Sequence, residues 1–271
     1  MALTLSDLKQ GLSELNLPNA PVIVHASLKA FGQVEGGADT VVEALADSFK
    51  TFFAPTFTYK TMVTPLTGPP DNAMTYGSGG DLNRMAEFFT PDMPADPLMG
   101  AIPEALRHDS EAHRTAHPIL SFTGINAGKF LAAQSMVNPL APLFALEKFG
   151  GFVVLMGVNH TVNTSIHYAE KLAGRRQFVR WALTPQGIVE CPGFPGCSAG
   201  FQAIAPDLEK DTRQVTIGQA TVQAVPLKAL FRAVIARLHA DPLALLCEQQ
   251  DCERCNQIRS LVQGASRVPA Q

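Results

Sequence analysis

His167 and Glu170 stand three residues apart in the run NTSIHYAE, residues 163–170. If that run is helical, the two side chains share a face and can touch. An imidazole titrates near neutrality, so it can take a proton from a group that must attack as a neutral nucleophile. A carboxylate beside it would fix its tautomer and stabilise the imidazolium, or bind a substrate ammonium. The spacing alone also allows a core histidine satisfied by a backbone carbonyl, with Glu170 a solvated or capping side chain. His25, His117 and His160 also fall near the ends of apolar runs, but no HxH or HExxH spacing links the four into a metal set. His25 and His160 read as packing or supporting groups rather than bases.

A second chemistry sits in the tail, as Cys247-x4-Cys252-x2-Cys255. No thioredoxin-like pattern surrounds it, so zinc ligation by thiolates suits it better than redox exchange. Cys197, in the loop PGCS, is the candidate fourth ligand of a closed, structural site. Free, partly buried thiols are the alternative.

The elements that must position these groups follow from apolar periodicity. Residues 152–156 predict a buried strand after a Gly150-Gly151 turn, and the polar loop behind it leads into the helix that carries His167. A strand that ends in a loop and turns into a helix is where α/β proteins place reacting groups. Residues 5–17 predict an amphipathic helix stopped by Pro18, and 21–27 a buried strand. A glycine-bearing loop and a helix over 39–50 come next, then a strand at 52–55. From 60 to 96 the chain is rich in Pro, Gly, Thr and Met without a period, as in a functional loop or lid. A helix is predicted at 98–107, a strand at 121–127 and a hairpin over 180–191 turning at 185–187. A strand pair follows at 215–226 and a helix at 227–239.

The 271 residues are read as one domain, with 46% hydrophobic and 17% charged residues pointing to a large interior. A net charge of −3 gives no basic field for nucleic acid. No apolar run approaches the ~20 residues of a membrane span, and the N-terminus lacks a signal-peptide pattern. Five cysteines without a secretory signal suit reduced thiols, so the cytoplasm is the expected compartment. A monomer or a homodimer is expected.

The segment VLMGVNHTVNTSIHYAE (154–170) resembles the signature LLLGVGH-x-x-NTSLHxAE of the aminoglycoside 3-N-acetyltransferases, with Asn159 where a small residue is usual. HASLKAFGQVEGGADT (25–40) resembles that family's HSSLSSFGxVxGGAxTV, and RTAHPILS (114–121) its RSxHPxxS. The resemblance implies an α/β fold of the antibiotic acetyltransferase type, distinct from GNAT. Its mixed central sheet would be flanked by helices, with a small C-terminal β/α part and, from the cysteines, a zinc-bound tail.

It also implies acetyl-CoA-dependent N-acetylation of an amine, most simply the 3-amine of a 2-deoxystreptamine aminoglycoside. His167 would be the general base, and Glu170 would orient it or bind the substrate. Acetylation would turn a cation into a neutral amide and weaken the drug's hold on anionic ribosomal RNA, which is antibiotic resistance. His25, Ser27, Leu28, Lys29, Gly36, Gly37, His117 and Ser121 would face the cofactor, because glycine loops and helix N-termini offer N–H groups to phosphates. Parts of the family orient the base with an acid in the later hairpin region. Here that stretch, CPGFPGCSAGF (191–201), has none. Asp81, Glu87, Asp92, Asp96 and Glu104 are candidates to face a polycationic sugar. Two alternatives stay open: another natural-product amine as acceptor, and a zinc-dependent hydrolase or zinc-stabilised binding module.

Overall fold

The computed structural model describes residues 2–17 and 19–265. The chain begins with α1 (Leu5–Glu14), closed at its start by a reciprocal cap between Thr4 and Asp7. The helix is shorter than the apolar pattern suggests. Asn16 takes a φ of 50° just past its end, a left-handed stop. Pro18, expected to end it, lies outside the described residues. The predicted β-loop-α unit is β1 (Val22–Ala26) and α2 (Gly37–Ser48), followed by β2 (Phe52–Pro55). The aperiodic stretch 60–96 holds little regular structure beyond β3 (Met62–Val63) and α3 (Gly80–Arg84).

Then come α4 (Ala101–His108), β4 (Ala112–Arg114), β5 (Phe122–Ile125), α5 (Gly128–Leu131) and α6 (Ala141–Lys148). The central signature is β6 (Phe152–Met156) and α7 (Thr164–Leu172). A hairpin of β7 (Phe178–Thr184) and β8 (Gly187–Phe194) leads through α8 (Ala205–Leu208) to β9 (Arg213–Ile217) and β10 (Ala220–Pro226). The chain closes on α9 (Leu227–Ala240) and α10 (Glu253–Ala265).

Seven strands form one mixed sheet in the order β4-β5-β2-β1-β6-β10-β9, while β3, β7 and β8 form a second sheet of three. At the centre of the larger sheet β2, β1 and β6 run parallel, and the pairings outside them are antiparallel. The expected C-terminal β/α part is β9, β10 and α9, and it is continuous with this sheet through the β10–β6 ladder. β6 is apolar at every position because both faces of the sheet are covered. Val153 and Leu155 join a core with Phe53, Phe122 and Leu230, and Val154 and Met156 one with Leu8, Leu45 and Leu106. Phe122 meets Phe53 and Phe57 edge-on, each at 5.6 Å, contacts worth about 0.5–1.5 kcal/mol apiece beyond area burial. Among the described residues no helix is long and apolar enough to cross a membrane.

Candidate active site

Three parallel strands bring their carboxyl ends to one edge, where open α/β sheets bind ligands. A cleft of about 910 Å³ opens there. β2 and the residues just after it contribute Pro55 and Phe57, and β1 and the turn after it His25 to Lys29. The loop after β6 contributes Val158, Thr161, Val162 and Asn163, and α7 Thr164 and His167. The facing wall is Met62, Arg180, Phe194, Gly196, Ser198 and Arg254, from the small sheet and the tail.

Backbone bonds set the floor. The Ser27 N–H donates to the Met156 carbonyl at 3.0 Å, which ties the two strand ends together. β6 then turns at Gly157, with φ 66°, where a Cβ would lie 2.2 Å from the Ala30 methyl, so only glycine fits. Asn159, the departure from the family signature, caps the next turn. Its Oδ1 accepts from the Thr161 N–H at 3.0 Å and hydroxyl at 2.6 Å. Asn163 Oδ1 accepts from the Ser165 N–H at 3.1 Å and caps α7.

On α7, Glu170 Oε2 lies 2.8 Å from His167 Nδ1, so the acid beside the histidine is its neighbour one turn along the helix. Glu170 Oε1 accepts from Arg175 Nη1 at 2.5 Å, and Arg175 Nη2 donates to the carbonyls of Pro242 and Ala244, both at 2.7 Å. Glu170 is 1% exposed, so its charge needs both partners. His167 sits in the first turn of α7. The ring packs edge-on against Phe201 at 4.6 Å. With Nδ1 engaged, Nε2 is the nitrogen left to handle a proton from the cleft.

The supporting histidines are kept neutral. Burial, and then the nearby His160, push the His25 pKa down to about 3, and its Nε2 is buried without a partner among the described residues. Burial pushes His160 down to about 4, and its Nδ1 lies 3.2 Å from Asn163 Nδ2.

Of the expected cofactor residues, His25, Ser27, Leu28 and Lys29 line the cleft, and the other four do not. Gly36 and Gly37 form the positive-φ turn that starts α2. His117 Nδ1 accepts from the N–H groups of Ile119 at 3.2 Å and Leu120 at 3.0 Å, and burial pushes its pKa down to about 4. Ser121 Oγ donates to the Thr56 carbonyl at 2.7 Å and accepts from Arg114 Nε at 3.1 Å. Ser121 thus braces the segment after β2, while His117 holds its own loop.

The five acids expected to face a sugar are also elsewhere. Asp81 pairs with Arg84 at 2.7 Å, Glu87 with Lys60 at 3.2 Å and Glu104 with Arg107 at 2.6 Å. Asp96 caps the Leu98 N–H at 3.0 Å, and Asp92 is exposed. Among the described residues no aspartate or glutamate lines the cleft. Lys29, Arg180 and Arg254 line it, and none of them has a carboxylate partner among the described residues. The sequence reading missed Arg175, Arg180 and Arg254. Arg180 carried a signal: with Phe178, Ala182 and Thr184 it holds the inward positions of β7.

The Sγ atoms of Cys197, Cys247, Cys252 and Cys255 all lie within 4.8 Å of one another.

The family model described as aminoglycoside 3-N-acetyltransferase matches residues 23–239. Aminoglycoside N(3)-acetyltransferase III from Salmonella sp. is 27% identical over 219 residues, covering 68% of this chain and 72% of the relative. The apoenzyme structure of aminoglycoside acetyltransferase AAC(3)-IVa superposes with a TM-score of 0.77 at 21% identity, covering 96% of this chain and 98% of that one. AAC-IIIb, solved as a binary complex with CoASH, superposes with a TM-score of 0.71 at 23% identity, covering 89% and 97%.

Proposed function

The chain belongs to the aminoglycoside 3-N-acetyltransferase family, and from that premise we propose that it moves the acetyl group of acetyl-CoA onto an amine. The acceptor that the family suggests is the 3-amine of a 2-deoxystreptamine aminoglycoside. The observation that carries the reading is the His167–Glu170 pair, 2.8 Å apart, at the carboxyl edge of the parallel strands.

The amine nitrogen attacks the thioester carbonyl while His167 Nε2 takes its proton, an arrangement worth about 10²–10⁴-fold in rate. The C–N bond forms, the tetrahedral intermediate collapses and the C–S bond breaks. The CoA sulfur leaves as a thiolate and recovers a proton from the imidazolium. Glu170 holds the ring and balances its charge in between. Leu28 and Lys29 open a one-turn helix on the cleft wall, and the first N–H groups of such a turn have no carbonyl partner within it. We assign them to the oxyanion. Among the described residues no cysteine lines the cleft, which favours direct transfer over a thioester intermediate on the protein. Lys29, just after β1, suits a phosphate of the cofactor, which leaves Arg180 and Arg254 to the acceptor. The donor and the reduced thiols suit the cytoplasm, and the proposed site draws on one chain, so a monomer or a homodimer would serve.

One observation favours a second reading of the acceptor. Arg180 and Arg254, with no aspartate or glutamate among the described lining residues, disfavour a polycation and favour an amine that also carries an anionic group. The test is product analysis after incubation with acetyl-CoA and two sets of acceptors: 2-deoxystreptamine aminoglycosides, and amines bearing a carboxylate or phosphonate. Acetylation at the aminoglycoside 3-amine supports the first reading. Turnover confined to the anionic amines supports the second. No amine-dependent consumption of acetyl-CoA in either set overturns both.

A further inference from the structure

Acetyl transfer leaves the cysteine cluster unused. Cys197 follows β8, Cys247 and Cys252 lie between α9 and α10, and Cys255 is in the first turn of α10. These separate segments converge until all four sulfurs lie within 4.8 Å of one another, with Cys247 and Cys255 at 3.4 Å. All four are free thiols.

Metal–sulfur bonds of about 2.3 Å in a tetrahedron give sulfur–sulfur edges of about 3.8 Å, so the cluster already has the size of a mononuclear site. It is too compact to wrap a multi-iron cluster. Four thiolates around a divalent ion leave about two negative charges. Two arginines stand on the same segments to offset them. Arg259 donates to the Cys247 carbonyl, and Arg254 donates to the Gly196 carbonyl at 3.0 Å. The Ala199 N–H points at Cys197 Sγ at 3.4 Å, as a donor to a thiolate should.

We propose that Cys197, Cys247, Cys252 and Cys255 bind one zinc ion in a closed tetrahedral site, and that this ion holds the tail in place as a wall of the cleft. Four protein ligands leave no position for water, so the ion is structural. Its reach is short. Gly196 and Ser198 flank Cys197 in the cleft wall, and Arg254 precedes Cys255 there. The carbonyls of Pro242 and Ala244, just before Cys247, anchor the arginine that holds Glu170. The ion therefore crosslinks the tail at the point where it meets the catalytic pair. This second half rests on the acetyl-transfer reading, and the zinc site itself does not.

The test uses full-length protein purified under reducing conditions. Mercurial titration of its thiols, with a colorimetric chelator present, should release one zinc per chain. Unfolding and refolding with Co²⁺ should give the thiolate charge-transfer and ligand-field bands of a tetrahedral site. Cys252→Ser should lose stoichiometric zinc, melt at lower temperature and raise the KM for the acceptor. If that variant does not fold, the zinc and cobalt measurements on the wild type still decide. Protein without stoichiometric metal that takes up no Co²⁺ would overturn the site, as would iron in place of zinc or a Cys247–Cys255 disulfide. Zinc without acetyl transfer would fail the function and leave the site standing. Acetyl transfer without zinc would do the reverse.

Discussion

The wall of the cleft built on β1, β6 and α7 is held by backbone ladders and by side chains buried on both faces of the sheet. The wall built from the small sheet and the tail has ladders of its own, β3–β7 and β7–β8, and shares the core through Phe178, Leu245 and Ile258. Its tail, however, is tied down by arginines reaching backbone carbonyls. Arg175 bonds Pro242 and Ala244, Arg254 bonds Gly196, and Arg259 bonds Cys247. The first wall is part of the main sheet and carries His167 and Glu170. The second adds charged contacts and four sulfurs to a smaller sheet, and carries the cations Arg180 and Arg254. Rigid chemistry on one side and a separately fastened wall on the other would let the acceptor site vary while the base stays in register.

The two walls should fail under different insults. The largest effect is expected in acid, and on the sheet side. His25, His117 and His160 are all buried, with folded pKa values of about 3, 4 and 4 against an ordinary 6.5. Above pH 6.5 they are neutral whether folded or unfolded and contribute nothing to the pH dependence. Below it the unfolded chain takes up protons first. Stability should therefore fall as pH drops from 6.5 toward about 4, by up to roughly 1.4 kcal/mol per unit for each histidine. Denaturant melts across that range would show it, and a flat profile would mean that these rings are protonated or solvated in the fold.

His167→Asn comes next. It should cut kcat by at least about 10²-fold while acetyl-CoA affinity stays near normal. Near-wild-type turnover at neutral pH would remove the base from the sheet wall.

Arg175→Met attacks the joint between the walls. It strips Glu170 of one charged partner and frees two tail carbonyls, a loss of about 3–5 kcal/mol for breaking a buried ion pair. Urea unfolding measures it. A loss under about 1 kcal/mol would show that the tail does not lean on this arginine.

The smallest effect is expected at Lys29, which is exposed at the cleft rim. Lys29→Ala should raise the acetyl-CoA KM several-fold, leave the acceptor KM alone, and matter less at high salt. An unchanged acetyl-CoA KM would remove Lys29 from the cofactor path.

The sheet wall was legible in the sequence because its signals are local. The apolar run 152–156, the glycine pair before it and the Asn163 cap define strand, turn and helix without reference to the rest of the chain. Three-residue spacing was enough to place Glu170 beside His167. The motifs that hold Gly36, Gly37, His117 and Ser121 could not say which side of each loop faces the cleft, and these four do not line it. The acids at 81, 87 and 104 stay off the cleft, each with a basic partner within reach, two of them three residues away and one, Lys60, on a neighbouring segment. The tail was hardest to read. Its contacts are side chain to carbonyl across long separations, and no periodicity announces them. The cysteines were the exception, since thiols grouped in a short span have few other uses.

The central claim is direct, base-assisted transfer from acetyl-CoA to an amine within the cleft. Rapid-mixing measurement of free thiol, with stoichiometric enzyme and acetyl-CoA, tests it most directly. Without an amine no burst of thiol should appear, and with an amine of the accepted class thiol should be released on every turnover. A burst equal to the enzyme concentration without amine, or silence with every amine offered, would contradict the account.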